Sequence, residues 1–344
     1  MNLTQRLGAA ARILLGRSSR AHRREPISPL TAEEVADFHR FFPRPKFFIF
    51  GHARSGTTLL MRLLRLHAEV HCDYQAHFFT RRPLLKSLVD TPEAEEWLRR
   101  KSNRWNHGKD LSPIVLRAAA EYIMERDAQR LGKRIVGDKS PSSTIHGQSV
   151  RDLHDIFPDA ALVYIVRDGR DVLVSERFRN FVEESRFLGA ADRRILADFR
   201  REPAAFGEGK RSIFTEGVVR RVAGGWAANL EEVDAEGRRL FGNRYLAIRY
   251  EDLLKDSERE LRRVWRFLGV RSIPATIGRR IRTEMGSNPD EEWQSRRGQD
   301  IAPFLAKGKA GNWRALLTAR DRDVFKAVAG TALVNWKYER SDDW

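Results

Sequence analysis

The segment FFIFGHARSGTTLL, residues 47–60, constrains the fold more than any other part of the chain. It begins with an apolar run, passes through a glycine-containing loop and leads into an amphipathic pattern from Thr57 to Leu66. A buried strand, a tight loop and a helix in this order form the basic unit of α/β proteins. Backbone N–H groups at the start of such a helix attract phosphate. The segment therefore predicts an α/β fold with a phosphate site after its first strand.

This loop differs from the lysine-containing loop of nucleotide triphosphatases. Gly51 and Gly56 have the same G-x-x-x-x-G spacing, but Thr57 stands where that loop has its lysine. The cation of this loop is Arg54, and the strand ALVYIV is followed by Arg167 where a magnesium site would need an acid. We therefore expect a phosphate compound that is bound without Mg²⁺. A P-loop kinase or triphosphatase remains the alternative within this fold.

Apolar runs alternate with helical patterns along the chain, which indicates a mainly parallel sheet covered by helices on both faces. We expect a basic extension over residues 1–30 and a single catalytic domain over residues 31–344. Residues 80–112 are polar and weakly periodic and are predicted to form a mobile or variable insertion. A charged loop is predicted to end near residue 215, and residues 270–312 are predicted to be rich in loops.

The charge balance favours anionic partners. The net charge is +16 in 344 residues, and 41% of the residues are apolar, enough for a substantial core. The basic residues are spread along the chain without a nucleic-acid-binding motif, so we expect no nucleic-acid partner. The single cysteine, Cys72, excludes an internal disulfide, and no zinc-ligand spacing is present.

The first 24 residues contain six arginines and no acidic residue. Their apolar stretch is far shorter than the ~20 residues of a membrane span, and it has no clear cleavage site. Two interpretations stay open: a loosely ordered basic extension, or an amphipathic segment on an anionic membrane surface. We expect a cytoplasmic protein that is peripheral to a membrane in the second case.

Three further motifs carry polar groups that suit an anion. In VRDGRDVLVS, Arg167 follows a strand and Ser175 lies on the next helix, so both can approach one phosphate. KGKAGNW supplies Lys307 and Gly308 in a loop that can wrap an anion. GDKSP places Lys139 on the loop after a strand, at the edge of a parallel sheet where ligands bind.

Together these motifs resemble, in order and spacing, those of the sulfotransferases that use 3′-phosphoadenosine 5′-phosphosulfate (PAPS). The first loop is similar to the [PK]-[RK]-S-G-T-T loop of that family, with Ala53 in place of proline. VRDGRDVLVS, KGKAGNW and YEDL (residues 250–253) are similar to three further motifs of the family. GDKSP resembles a segment of its tyrosylprotein-type and bacterial members.

The resemblance implies a P-loop NTPase-like three-layer sandwich and the transfer of a sulfuryl group without a required metal. It implies three sets of site residues. The 5′-phosphosulfate set is Arg54, Ser55, Gly56, Thr57 and Thr58; the 3′-phosphate set is Arg167, Ser175, Lys307 and Gly308; Tyr250 belongs to the YEDL segment of the nucleotide site. Arg54 and Lys139 are also expected to stabilise charge in the transition state.

The catalytic base departs from the family pattern. Gln75 stands where the resembling members often carry a glutamate, and it cannot take up a proton. His77 and Asp73 are the nearest titratable residues, and His77 has the pKa class suited to a base. A structural role for His77 is an equal alternative, and a non-catalytic PAPS-binding protein is a further one.

The acceptor is not defined by a motif. The insertion at 80–112, with Trp97 and Trp105, and the loop at 183–215 are expected to shape its pocket. We expect a small-molecule, carbohydrate or glycolipid acceptor with a hydroxyl or amine group.

Overall fold

Five parallel strands form the centre of the part of the chain that the computed structural model describes, which is residues 26–344 apart from 83, 103, 288–308 and 342–343. The sheet has the order β2-β3-β1-β4-β5, and every neighbouring pair is parallel. The strands are β1 (Lys46–Phe50), β2 (Val70–Tyr74), β3 (Ile135–Lys139), β4 (Ala161–Val166) and β5 (Tyr245–Arg249). β1 and β4 lie where the apolar runs at residues 47–50 and 161–166 predict strands.

Helices connect the strands and extend beyond them. The α-helices of the described part are α1 (Ala32–Phe41), α2 (Thr57–Leu64), α3 (Pro92–Arg99), α4 (Ser112–Arg130), α5 (Gly147–Ile156), α6 (Gly169–Glu183), α7 (Ala190–Arg201), α8 (Glu216–Phe241), α9 (Tyr250–Lys255), α10 (Ser257–Phe267), α11 (Ile277–Gly286), α12 (Trp313–Leu316) and α13 (Ala319–Asn335). Short 3₁₀ segments lie at Leu85–Val89, Ser185–Phe187, Pro203–Gly209 and Gly242–Arg244.

Side chains of β1 alternate between two apolar cores, one on each face of the sheet. Phe48 and Phe50 pack with residues of α4, α5, α6, α8 and α13, whereas Phe47 and Ile49 pack with residues of α2, α10 and α11. Burial on both faces explains why the strand is apolar throughout rather than alternating. The predicted three-layer α/β sandwich with a parallel sheet is therefore confirmed.

Helical segments lie in three regions for which the sequence predicted no helix. The insertion at 80–112 contains the 3₁₀ segment Leu85–Val89 and α3, and it buries Leu98 against α4. Helix α7 lies in the segment predicted as a charged loop, and α11 lies in the region predicted to be rich in loops. The prediction of a continuous charged loop up to residue 215 was wrong, because an amphipathic helix with a narrow apolar stripe appears polar when read residue by residue.

Residues 1–25 of the predicted extension lie outside the described residues. The chain is described from just before α1, and a capping box of Thr31 and Glu34 fixes the start of that helix. None of the described helices is both long enough and apolar enough to cross a membrane.

Candidate active site

The loop after β1 turns sharply into helix α2. Gly56, immediately before the helix, has φ +88°, a left-handed conformation that glycine adopts readily. The ring of Tyr250 packs directly against it, so that a Cβ at position 56 would lie 2.3 Å from a ring carbon. Arg54 also has a positive φ, of 72°, and is exposed. The sequence predicted this turn from its glycine spacing.

Three of the predicted binding residues meet at this loop although they lie far apart in the chain. The Nε of Arg54 donates to the Ser175 hydroxyl on α6 at 3.0 Å. Arg167 donates from Nη1 to the Arg54 carbonyl oxygen at 3.1 Å. These hydrogen bonds connect the loop after β1 with the turn between β4 and α6 and with α6 itself. They place the side chains of Arg54, Arg167 and Ser175 close together.

Two buried polar atoms at this location have no hydrogen-bond partner among the described residues: the hydroxyl oxygen of Ser55 and the Nε of Arg167. Buried donors and acceptors are nearly always paired in folded proteins, because an unpaired one costs free energy. Both atoms belong to the residues predicted to hold phosphate groups. The donor set at this site therefore fits an oxyanion ligand.

The turn that carries Arg167 is held by contacts from helices α8 and α9. The indole Nε1 of Trp226 donates to the Arg167 carbonyl oxygen at 3.0 Å. Asp168 caps α6, and its own N–H donates to Glu251 at 2.9 Å. The Arg167 guanidinium lies 4.8 Å from the ring centroid of Tyr250. The YEDL segment thus fixes both Gly56 and Arg167 through residues that are neighbours in sequence.

Lys139 is the last residue of β3 and is fully buried, whereas the sequence placed it on the loop after the strand. The strand extends to Lys139 because Lys139 pairs with Tyr74 in the register of β2 and β3. Its Nζ donates to the Thr58 hydroxyl at 3.1 Å and lies 3.8 Å from the ring centroid of Tyr74. Burial lowers the pKa of Lys139 to about 8.

A network that the sequence did not predict holds the segment after β2. Asp138 accepts from the Ala76 N–H at 3.0 Å and from the Ser140 hydroxyl. The Ser140 oxygen accepts from the His77 N–H at 2.8 Å. Burial raises the pKa of Asp138 to about 6. The only sequence signal for this network was that Asp138 and Ser140 flank Lys139 in the GDKSP motif.

His77 and Gln75 both have left-handed backbone conformations, with φ values of 55° and 62°. The His77 Nδ1 lies 3.0 Å from the Thr80 hydroxyl. Burial, with Arg81 and Lys139 nearby, lowers the pKa of His77 from 6.5. Asp73, the other titratable neighbour, pairs with His71 at 2.9 Å. His77 thus lies in the segment after β2, held there through its backbone N–H, and its lowered pKa favours the neutral imidazole.

The KGKAGNW loop reaches the same region through its described part, residues 309–313. Arg167 donates from Nη2 to the Lys309 carbonyl oxygen at 3.3 Å. The two oxygens of Asp171 accept from the Gly311 N–H at 2.6 Å and from the Trp313 N–H at 3.1 Å. The sequence did not assign this role to Asp171. The predicted binding residues 307 and 308 lie outside the described residues.

Comparison with known proteins gives relatives over part of the chain. Protein-tyrosine sulfotransferase A of Caenorhabditis elegans is 30% identical over 130 residues, which cover 37% of this chain and 31% of that protein. An uncharacterized protein of Aquifex aeolicus is 29% identical over 147 residues, which cover 42% of this chain and 18% of that protein. The chain thus spans less than a third of the length of these curated relatives.

The solved structures that the chain matches include a mouse sulfotransferase complexed with PAP. It has 15% identity and a TM-score of 0.46, with 90% of this chain and 92% of that chain covered. A sulfotransferase from Alicyclobacillus acidocaldarius has 24% identity and a TM-score of 0.40, with 79% and 99% covered. A sequence model described as the sulfotransferase family matches residues 45–274, which is more than half of the chain. The protein therefore belongs to the sulfotransferase family.

Proposed function

We propose that this protein transfers a sulfuryl group from PAPS to a hydroxyl acceptor, in line and without a required metal, and releases adenosine 3′,5′-bisphosphate. One observation carries the proposal. Arg54 of the first loop bonds to Ser175, and Arg167 bonds to both Arg54 and the loop at Lys309. These contacts bring together two motifs that are proposed to bind phosphate and lie far apart in the chain, which supports a ligand with two phosphate groups.

Different residues of the site are proposed to bind the two ends of PAPS. The loop backbone from Arg54 to Thr58 and the Ser55 hydroxyl would hold the 5′-phosphosulfate. Arg167 and Ser175, with Lys307 and Gly308, would hold the 3′-phosphate, and Tyr250 would support both halves through its contacts with Gly56 and Arg167. When bound, PAPS supplies the sulfuryl group and a phosphate leaving group.

Lys139 and His77 are proposed to act where charge and protons move. A lysine with a pKa of about 8 is mainly protonated at pH 7, so Lys139 can offset developing negative charge from a buried position. His77 is mainly neutral at the same pH because its pKa is lowered, and it can accept the proton of the acceptor hydroxyl. Both groups lie on the carboxyl side of neighbouring strands, where parallel sheets bind ligands.

The acceptor is proposed to be a small molecule, a carbohydrate or a glycolipid. Trp97 and Trp105 stack with ring centroids 4.8 Å apart and remain 58% and 46% exposed, so they offer an aromatic surface of the kind that binds sugar rings. A cytoplasmic enzyme with one catalytic domain over residues 31–344 fits this proposal. The basic N-terminus would bring it to an anionic membrane surface if the acceptor is a lipid.

Two alternatives make different predictions. Gln75, in place of a glutamate, would suit a protein that binds PAPS without transfer, which would bind the nucleotide but label no acceptor. A kinase or triphosphatase would require ATP and Mg²⁺, although Thr57 replaces the lysine of its phosphate loop.

The test is calorimetric binding of adenosine 3′,5′-bisphosphate and of ATP with Mg²⁺, followed by transfer from radiolabelled PAPS. The acceptor panel should include sugars, a glycolipid, an extract of the source cell and a tyrosine peptide, since named relatives are protein-tyrosine sulfotransferases. We expect tight bisphosphate binding, and transfer that persists in EDTA. Absence of bisphosphate binding would overturn the proposal, and binding without transfer to any acceptor would favour the non-catalytic alternative.

A further inference from the structure

Arg170, the second residue of α6, is a buried cation with an unusual set of neighbours. Its side chain is 1% exposed, and Asp168 accepts from its Nε at 3.0 Å and from its Nη2 at 2.7 Å. Its Nη1 donates to Glu339. The guanidinium carbon also lies 3.8 Å from the ring centroid of Trp313 and 4.4 Å from that of Trp344. A buried charge needs such partners, because removing one leaves the charge uncompensated.

These neighbours belong to two different segments. Trp313 ends the KGKAGNW loop, whereas Glu339 and Trp344 follow helix α13 in the C-terminal tail. The indole rings of Trp313 and Trp344 meet edge to face, with centroids 6.2 Å apart and planes at 76°. Arg170 therefore links the tail to the loop through one side chain.

The same turn of α6 also holds the backbone of the loop. Asp171, next to Arg170, accepts from the N–H groups of Gly311 and Trp313. Arg167, at the start of this turn, donates to the Lys309 carbonyl oxygen at 3.3 Å. The loop is thus anchored by its backbone through Asp171 and by its tryptophan ring through Arg170.

We propose that the tail residues Glu339 and Trp344 form a latch that positions Arg170 and Trp313, and through them the loop at residues 309–313 against Arg167. The inference rests on the proposed function, in which this loop and Arg167 hold the 3′-phosphate of the nucleotide. Arg170 is then a positioning residue, and the tail sets the affinity for the 3′-phosphate without touching it.

The experiment compares two nucleotides that differ only in the 3′-phosphate, adenosine 3′,5′-bisphosphate and adenosine 5′-monophosphate, bound to the full chain. Trp344→Ala and Glu339→Gln should each raise the Kd of the bisphosphate by about tenfold, the order expected for loss of one buried contact to a cation. The Kd of the monophosphate should stay within about twofold. Tyr122→Ala, which removes an exposed ring from α4, is the control and should change neither value.

The possible results distinguish a failure of the latch proposal from a failure of the proposed function. If Trp344→Ala and Glu339→Gln weaken both nucleotides equally, or neither, the latch proposal is wrong even where the wild-type protein binds the bisphosphate. If the wild-type protein does not prefer the bisphosphate to the monophosphate, the proposed function fails and the latch fails with it. Thermal melting of each variant shows whether it folds. If Trp344→Ala does not fold, the proposal is still tested by Glu339→Gln, which keeps the volume of the side chain.

Discussion

The Nε of Arg54 donates a hydrogen bond to the Ser175 hydroxyl at 3.0 Å, although 121 positions separate the two residues. Arg54 belongs to the loop that is proposed to hold the 5′-phosphosulfate, and Ser175 to the helix that is proposed to hold the 3′-phosphate. The bond crosses from one proposed phosphate site to the other. The two proposed sites are therefore physically connected, and a change in one is expected to affect the other.

Arg54→Ala should lower kcat/KM for PAPS by roughly 100- to 1,000-fold, the range seen when one donor to a developing oxyanion is removed. Arg54→Lys should recover only part of the loss, because lysine lacks the planar fork of donors. Arg40→Ala, at a 77% exposed arginine of α1, is the matched control and should retain wild-type kinetics. Steady-state assays test the set, and equal kinetics for all three variants would contradict the role of Arg54.

Gly56→Ala should destabilise the protein by about 1–3 kcal/mol, because a methyl group would strike the Tyr250 ring and φ at this position is positive. Urea unfolding measures the loss of stability, and titration with adenosine 3′,5′-bisphosphate measures any effect of the variant on nucleotide binding. Gly225→Ala, in the middle of α8 with no atom within 4 Å of the added Cβ, is the control and should stabilise by about 0.5–1 kcal/mol. In the Tyr250→Ala background the cost of Gly56→Ala should shrink, and an undiminished cost would show that the ring is not its cause.

Turnover at saturating PAPS should fall as the pH rises through about 8, because Lys139 loses its proton and its charge there. Lys139→Arg should remove this alkaline decline, since arginine stays protonated, and should have a lower maximal rate because its shape differs. Lys139→Met should lower turnover at every pH. A pH–rate profile of the three proteins is the measurement, and an unchanged alkaline limb in Lys139→Arg would assign the decline to another group.

His77→Ala should lower kcat by about 100- to 10,000-fold with little change in the Kd of the bisphosphate, as expected for the loss of a general base. In the wild-type protein the rate should also fall at acidic pH, below the ordinary pKa of 6.5, because protonated His77 cannot accept a proton. His154→Ala is a matched control, since burial lowers the pKa of that histidine on α5 as well. Near-normal turnover of His77→Ala would show that His77 is structural.

Asp138→Asn should change how stability depends on pH. The native state keeps the Asp138 proton up to about pH 6, whereas the ordinary pKa is 3.8, so this group lowers stability as the pH rises through that window. At 1.36 kcal/mol per unit, the loss is roughly 3 kcal/mol. Unfolding free energies measured between pH 4 and 7 should shift progressively in favour of the asparagine variant. A constant difference across this range would contradict the raised pKa.

Local patterns predicted much of the fold. The apolar run at Phe47–Phe50 and the glycine spacing after it define a strand and a turn within about ten residues, and the structure has both. Helix α13 begins after a Thr318 capping box, which is also a local signal. Helices α7 and α11 were missed because their narrow apolar stripes become visible only when the surface they pack against is known.

Some features of the candidate site could also be predicted from the sequence, and others could not. Arg54, Arg167 and Ser175 could be proposed from the sequence because a strand end followed by a loop and a helix is a local signal for phosphate, and because their motifs resemble those of the family. The sheet order β2-β3-β1-β4-β5, the burial of Lys139 and the anchoring roles of Asp138, Asp171 and Arg170 could not. Backbone conformation depends on adjacent residues, so it can be inferred from short segments. Burial, charge compensation and pKa depend on which distant segments meet, and only the packing of the whole chain decides that.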